Sequence, residues 1–347
     1  MELKREKMLA LLAEMLACHG PIGDEREIDA VVLREFRASG ARTWQDGMSN
    51  IYAHVPGEGP RVMVAAHKDE LGLIISQIED DGRLRVKRLG GPYPWKYGEG
   101  PIDVIADNGG VVSAILSFGS THTRSGPMGE FRRGERTPTW DDVTLFTGLE
   151  PAELSQLGVH VGSRAVIARS RKRLKALPGD HIGSFALDDR MGLTGLVFAL
   201  RHLVQRPVAA DLYLVATTAE ETGYLGARRA AHLLRPDIVL ALDTAPVTPD
   251  TPTTLDARPV VWYDEASPNS LGDCNALVRL ADELGFGAQP VVYESAGSDA
   301  GGVRRIGLAE RTAALGFPRL NSHGYEIARA DVLVNGTELL LAWLRQL

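Results

Sequence analysis

The 347-residue sequence predicts an α/β fold with a largely parallel or mixed sheet, interrupted by a small, β-barrel-like all-β domain. Three observations carry this expectation. Helical and extended patterns alternate from residue 183 onward, as they do where helices cover an α/β sheet. The first part of the chain also reads as helices followed by strands, ending in the apolar run Val62–Ala66 that closes at His67. Between these parts the character changes to short extended runs separated by glycine-rich turns. The chain exceeds the usual single-domain length, so residues 1–71 and 180–347 are expected to build one domain and 72–179 an insertion.

Taken in order, Leu9, Leu12, Met15 and Leu16 have helical spacing in a first helix that stops near Gly20-Pro21. Lys4-Arg5-Glu6-Lys7 ahead of it resembles the start of a signal peptide, but Glu14 interrupts the apolar run, so a core helix is expected. A second helix is expected from Asp24, with Glu27 at capping-box spacing, through Ile28, Val31 and Phe36 to Gly40. Ile51–Val55 and Val62–Ala66 read as strands around a Pro56-Gly-Glu-Gly-Pro60 turn. In the insertion, Leu84–Val86, Ile102–Ile105, Val111–Phe118 and Val159–Ile167 read as strands. Thr123–Thr139 holds four arginines and little to bury, and reads as a mobile surface loop. Beyond it come a helix at 190–204, a strand at 211–218, a helix near 224–234 and a strand at 238–242. Asp273–Leu284, Pro290–Tyr293, Thr312–Gly316 and a helix from about 329 complete the alternation.

A net charge of −7 with 44% hydrophobic residues describes a mildly acidic soluble protein and offers no basic surface for nucleic acid or an anionic membrane. No apolar stretch is long and uninterrupted enough to span a bilayer. Cys18 and Cys274 are too few for a disulfide framework and fit the reducing cytoplasm.

The chemistry centres on Gly183-Ser-Phe-Ala-Leu-Asp188-Asp189-Arg190-Met-Gly192, two adjacent carboxylates at the seam between an extended segment and a helix. Alone, the pair reads as a helix start, where acidic side chains meet unpaired N–H groups. Four more places carry metal-type residues at or just past strand ends: His67-Lys-Asp69-Glu70, Glu220-Glu221, Asp243 and His323. Singly they could be a satisfied histidine, a solvated helix start, a turn aspartate and a polar loop. Together they demand repeated coincidence, because strand ends of an open α/β sheet converge on one edge. Two divalent ions about 3.5–4 Å apart need a bridging carboxylate and terminal ligands of their own, and a water between them becomes a nucleophile near neutral pH. Asp188 is therefore assigned as the bridge, with His67 and Asp243 on one ion and Glu221 and His323 on the other. Glu220 becomes the general base that passes the proton to a leaving amine, and Asp69 fixes the tautomer of His67. Imidazole and carboxylate suit zinc or cobalt better than magnesium, with manganese a third candidate.

Ala66-His67-Lys68-Asp69-Glu70-Leu71-Gly72, Ala186-Leu187-Asp188-Asp189-Arg190-Met191-Gly192, Glu220-Glu221-Thr-Gly223, and Asp243 followed by Pro246 resemble, in order, the signatures of the M42 metallo-aminopeptidases. Gly297-Ser298-Asp299-Ala300 and Asn321-Ser322-His323-Gly324-Tyr325-Glu326 continue the resemblance, as does Asp46-Gly47-Met-Ser-Asn50 before the first ligand strand. The resemblance implies a mixed-sheet α/β/α metallopeptidase domain and an exopeptidase that uses two zinc or cobalt ions to remove N-terminal residues from short peptides. It implies the same ligand roles, a cis bond joining Asp188 and Asp189, and an insertion domain that helps assemble homo-oligomers from dimers to twelve-subunit particles.

Two departures stand out. Lys68 occupies a place where an apolar or neutral residue is commoner: facing the site it would weaken metal binding or attract an acidic substrate, and on the opposite strand face it would do neither. Arg124, Arg132, Arg133 and Arg136, set against Glu130 and Glu135, make the insertion loop basic, which bears on assembly and on a preference for acidic residues. The rival activity is an endoglucanase-type glycosidase, whose carboxylate pair would flank a sugar bond at about 5 Å or more and leave both histidines without a role. Another metal-dependent amidohydrolase and a non-catalytic scaffold are the remaining alternatives, the scaffold opposed by the joint presence of five ligands and Glu220.

Overall fold

The computed structural model describes residues 3–347. In chain order its helices are α1 (Arg5–Ala17), α2 (Arg26–Ala38), α3 (Pro94–Tyr97), α4 (Gly126–Arg133), α5 (Pro151–Gln156), α6 (Leu187–Gln205), α7 (Leu225–Leu234), α8 (Leu271–Glu283), α9 (Asp299–Arg304) and α10 (Asp331–Leu344). The strands are β1 (Arg42–Gln45), β2 (Ile51–Val55), β3 (Arg61–His67), β4 (Gly72–Ile78), β5 (Leu84–Leu89), β6 (Gly100–Ile105), β7 (Val111–Ser117), β8 (Thr144–Phe146), β9 (Arg164–Ile167), β10 (Lys175–Leu177), β11 (His181–Ser184), β12 (Asp211–Thr217), β13 (Ile238–Pro246), β14 (Val260–Glu265), β15 (Gln289–Tyr293), β16 (Arg311–Leu320) and β17 (Glu326–Arg329).

The large sheet is mixed, in the order β1-β2-β12-β3-β13-β16-β17-β11-β10, with β14 and β15 branching beside β16. Its centre, β12, β3, β13 and β16, is parallel. Helices cover both faces, which is why β3 and β13 are apolar along nearly their whole length instead of alternating. One core lies between the sheet and α1, α2, α6, α8 and α10, and a second, smaller one lies against α7 and α9. Met8, Leu11, Leu12, Met15 and Leu16 of α1 are buried in the first, as a core helix requires. Among the described residues no helix is long and apolar enough to cross a membrane.

Strands β4-β5-β8-β7-β6-β9 close into a six-stranded barrel with its own core. Strand β10 pairs with β11 and so belongs to the large sheet. The junction between barrel and sheet is polar and buried: Lys172 Nζ lies 2.8 Å from Glu70 Oε1 and 3.1 Å from His19 Nδ1, and His19 Nε2 lies 3.0 Å from Asp103.

Two local expectations are corrected. The stretch 123–139 contains a helix, α4, closed by Gly134 in the left-handed conformation (φ 73). Its arginines find partners nearby: Arg133 donates to the Arg124 carbonyl and pairs with Glu135, while Arg136 pairs with Asp142 and Glu130. The capping box at α2 does not form either. Asp24 holds Arg26, and Glu27 accepts the His19 N–H at 2.9 Å instead of reaching back to the helix start.

Candidate metal centre

The parallel strands deliver their C-terminal ends to one edge, and the expected site residues meet there. His67 closes β3 and is in register with Thr217, the last residue of β12, after which come Glu220 and Glu221. Asp243 lies in β13 opposite Gly316 of β16, and His323 follows the end of β16. Asp188 enters from β11, which runs parallel to β16 through the intervening β17. Asp188, His67, Glu220, Glu221, Asp243 and His323 all line one cavity of about 800 Å³. Left-handed backbone at Ala186 (φ 60), Ala219 (φ 51) and His323 (φ 61) turns the chain beside these residues, and non-glycine residues in that region are characteristic of functional sites.

The Asp188-Asp189 pair divides its duties. Asp189 caps α6, accepting the Gly192 N–H at 2.9 Å on one oxygen and the His67 N–H at 3.2 Å on the other. Asp188 is turned the other way, with Oδ1 3.2 Å from His67 Nε2 and Oδ2 3.9 Å from His323 Nε2. The bond between them is cis. His323 Nε2 also lies 3.8 Å from Glu221 Oε2. The donor atoms of His67, Asp188 and Glu221 all lie within 4.8 Å of one another, as do those of His67, Asp189 and Asp243. Asp69 is buried, and its carboxylate accepts the Glu220 N–H at 3.0 Å and the Glu221 N–H at 3.2 Å. The nearer acceptor for His67 Nδ1 is the Asp69 backbone carbonyl at 3.2 Å, with the carboxylate at 3.6 Å.

Electrostatics test whether divalent ions fit here. Burial, reinforced by Glu221 and Asp243, pushes the Glu220 carboxyl well above the usual carboxylate range, and burial beside Asp188 lifts Glu221 to about 8 and raises Asp243. Burial would raise Asp188 too, but Arg319 and His67 hold it far below that range. Asp188, Asp189, Glu220, Glu221 and Asp243 thus crowd negative charge into one buried place, an arrangement that is costly unless cations share it. The donors are imidazole nitrogens and carboxylate oxygens, at spacings that ions about 2.0–2.2 Å from each donor would bridge. The residues present fit a pair of divalent ions.

Lys68 takes no part. It is fully buried just past β3, paired with Glu25 and, at 2.7 Å, with Asp29, and does not line the cavity, so neither expected effect on the site arises. Two functional residues escaped the sequence reading of roles. Glu326 backs the site by accepting the Asp188 N–H at 3.0 Å and the His323 N–H at 3.2 Å. Arg319 is buried between Asp188 and Glu326 and donates to Thr244 Oγ1 at 2.5 Å. Its available signal was a charged residue directly after the apolar run 313–318 of β16.

The chain is similar to known aminopeptidases in sequence and in fold. A putative aminopeptidase of Acetivibrio thermocellus is 26% identical over 98% of this chain and 99% of its own length. Lysyl aminopeptidase of Pyrococcus furiosus is 32% identical over 57% of this chain, and the chain spans 55% of that relative's length. Among solved structures, an aminopeptidase from the archaeon Desulfurococcus kamchatkensis superposes with a TM-score of 0.89 at 25% identity, covering 99% of this chain and 96% of that one. Pyrococcus horikoshii TET1 peptidase, which can assemble into a tetrahedron or a large octahedral shell, gives 0.86 at 25% identity over 98% and 100%. The family model of the M42 glutamyl aminopeptidases matches residues 49–339, and on that match the chain belongs to this family of metal-dependent aminopeptidases.

Proposed function

We propose that the chain removes single residues from the N-termini of short peptides with the help of two divalent ions. The observation that carries the reading is the convergence of Asp188, His67, Glu221, Asp243 and His323, with Glu220 among them, on one cavity at the edge of the sheet. His67 and Asp243 would hold one ion, Glu221 and His323 the other, and Asp188 both. Bound there, zinc, cobalt or manganese would polarise the scissile carbonyl and make a water acidic enough to attack it near neutral pH.

The rest is done by the chain. Glu220 receives the proton of the attacking water and delivers it to the departing amine. Asp69, through the N–H groups of Glu220 and Glu221, keeps base and ligand in fixed relation. The Asp69 carbonyl, accepting from His67 Nδ1, leaves Nε2 free to face the ions. Arg319 and Glu326 orient Asp188 and His323 from behind. The likeness to a peptidase that forms closed shells supports a homo-oligomer, and the two free cysteines accord with a cytoplasmic setting.

A panel of aminoacyl p-nitroanilides, assayed after chelation and after adding back zinc, cobalt or manganese, tests the reading. Hydrolysis should vanish with EDTA and return with metal; activity that persists in EDTA would refute it.

A further inference from the structure

Beyond the expected ligands, the outer wall of the cavity is built by the segments that follow β13 and β15, and each brings one carboxylate, Asp250 and Glu294. Both are exposed, and among the described residues neither side chain has a hydrogen-bond or ion-pair partner. The positive side of the ledger is short. Arg319 is the only lysine or arginine among the described residues lining the cavity, and it is tied to Asp188, Glu326 and Thr244. Lys68 is turned away to Glu25 and Asp29, and none of the arginines of 123–139 reaches the cavity.

Two divalent ions together with Arg319 would balance Asp188, Asp189, Glu220, Glu221 and Asp243. They would leave Asp250 and Glu294 uncompensated, so the outer wall keeps a negative charge. Pro246 and Val292 line the same cavity and present apolar surface, backed by the buried rings of Trp262 and Tyr293. A long side chain with an aliphatic stem and a cationic head matches such a wall, stem against the apolar groups and head toward the carboxylates. An acidic side chain would meet like charge there, and the nearby Arg305 is engaged with the Tyr224 ring and the Gly301 carbonyl.

We infer that the cavity selects peptides whose first residue is lysine or arginine, with Asp250 and Glu294 drawing the cationic head. This rests on the aminopeptidase reading, and it runs against the acidic preference that the arginine-rich stretch suggested from sequence.

The test is kcat/KM of the metal-loaded full chain on Lys-, Leu- and Glu-p-nitroanilide. The expected order is Lys above Leu above Glu, with the lysine advantage shrinking as salt rises, since exposed charges are screened. The double variant Asp250→Asn/Glu294→Gln should lower the Lys-to-Leu ratio by about tenfold, equivalent to roughly 1.4 kcal/mol. Reading the ratio within one preparation cancels any loss of folded protein. Glu turned over as fast as Leu, or a ratio untouched in the double variant, overturns the selectivity and leaves the aminopeptidase reading standing. No turnover of any of the three overturns both.

Discussion

Asp188 and Asp189 are neighbours with opposite tasks. Asp189 spends both oxygens on backbone N–H groups of α6 and His67, so it holds structure, and Asp188 keeps its oxygens for His67, His323 and Arg319. Replacing Asp188 by alanine should therefore empty both ion positions, which metal analysis of the purified variant measures; full occupancy would sink the bridging role. Glu220→Gln keeps the backbone contacts to Asp69 and removes only the proton acceptor, so metal content should be normal while kcat falls by about 10²–10⁴-fold. The proposed ligands could be picked from the sequence because few side-chain types bind two ions, and because strand ends bring remote positions together. Arg319 and Glu326 were not legible as functional. Arg319 acts on Asp188, 131 residues away, and Glu326 acts on the Asp188 N–H from 138 residues away, and no local pattern records such pairings.

At the scale of elements, the approach of α6 to the sheet depends on one glycine. A Cβ on Gly192 would come within 2.4 Å of both Asp189 oxygens, which are held on backbone N–H groups, and of the backbone Leu242 carbonyl. Gly192→Ala should destabilise the protein by about 1–3 kcal/mol, seen as a shifted denaturation midpoint, and should loosen metal binding through Asp189. An unchanged midpoint would show that the helix shifts freely on β13. Long apolar elements such as β3, β13 and α6 announced themselves by their patterns, although β13 and β16 run further than their apolar cores alone suggested. Helix α4 did not, because its eight residues bury little and its register is set by contacts of Arg133 and Arg136 outside the helix. The failed cap of α2 has a similar cause: Glu27 serves His19 and Arg169, partners that belong to another part of the fold.

For the whole molecule, the barrel and the sheet meet over Lys172 and Glu70, both buried. Burial lowers the Lys172 pKa against the pull of Glu70, and burial would raise Glu70, but Lys172 and Arg190 bring it below its ordinary value. Lys172→Met removes the nearer of the two cations that face the buried Glu70 carboxylate, leaving Arg190 at 3.9 Å, and should cost about 3–5 kcal/mol, read as a large drop in Tm. Removing the ions with EDTA should also lower Tm, because ions bound to the folded chain alone stabilise it by mass action, and an unchanged melting curve would argue against tight binding.

The order of strands in the sheet has a further result for biosynthesis. Strand β3 sits between β12 and β13, so Arg61 meets Asp211 only after another 150 residues have been made. A nascent chain leaving the ribosome carries His67 early, but the proposed centre can be complete only once β16 and the histidine beyond it have emerged. An unfinished polypeptide therefore lacks part of the proposed ligand set, a delay that follows from the strand order.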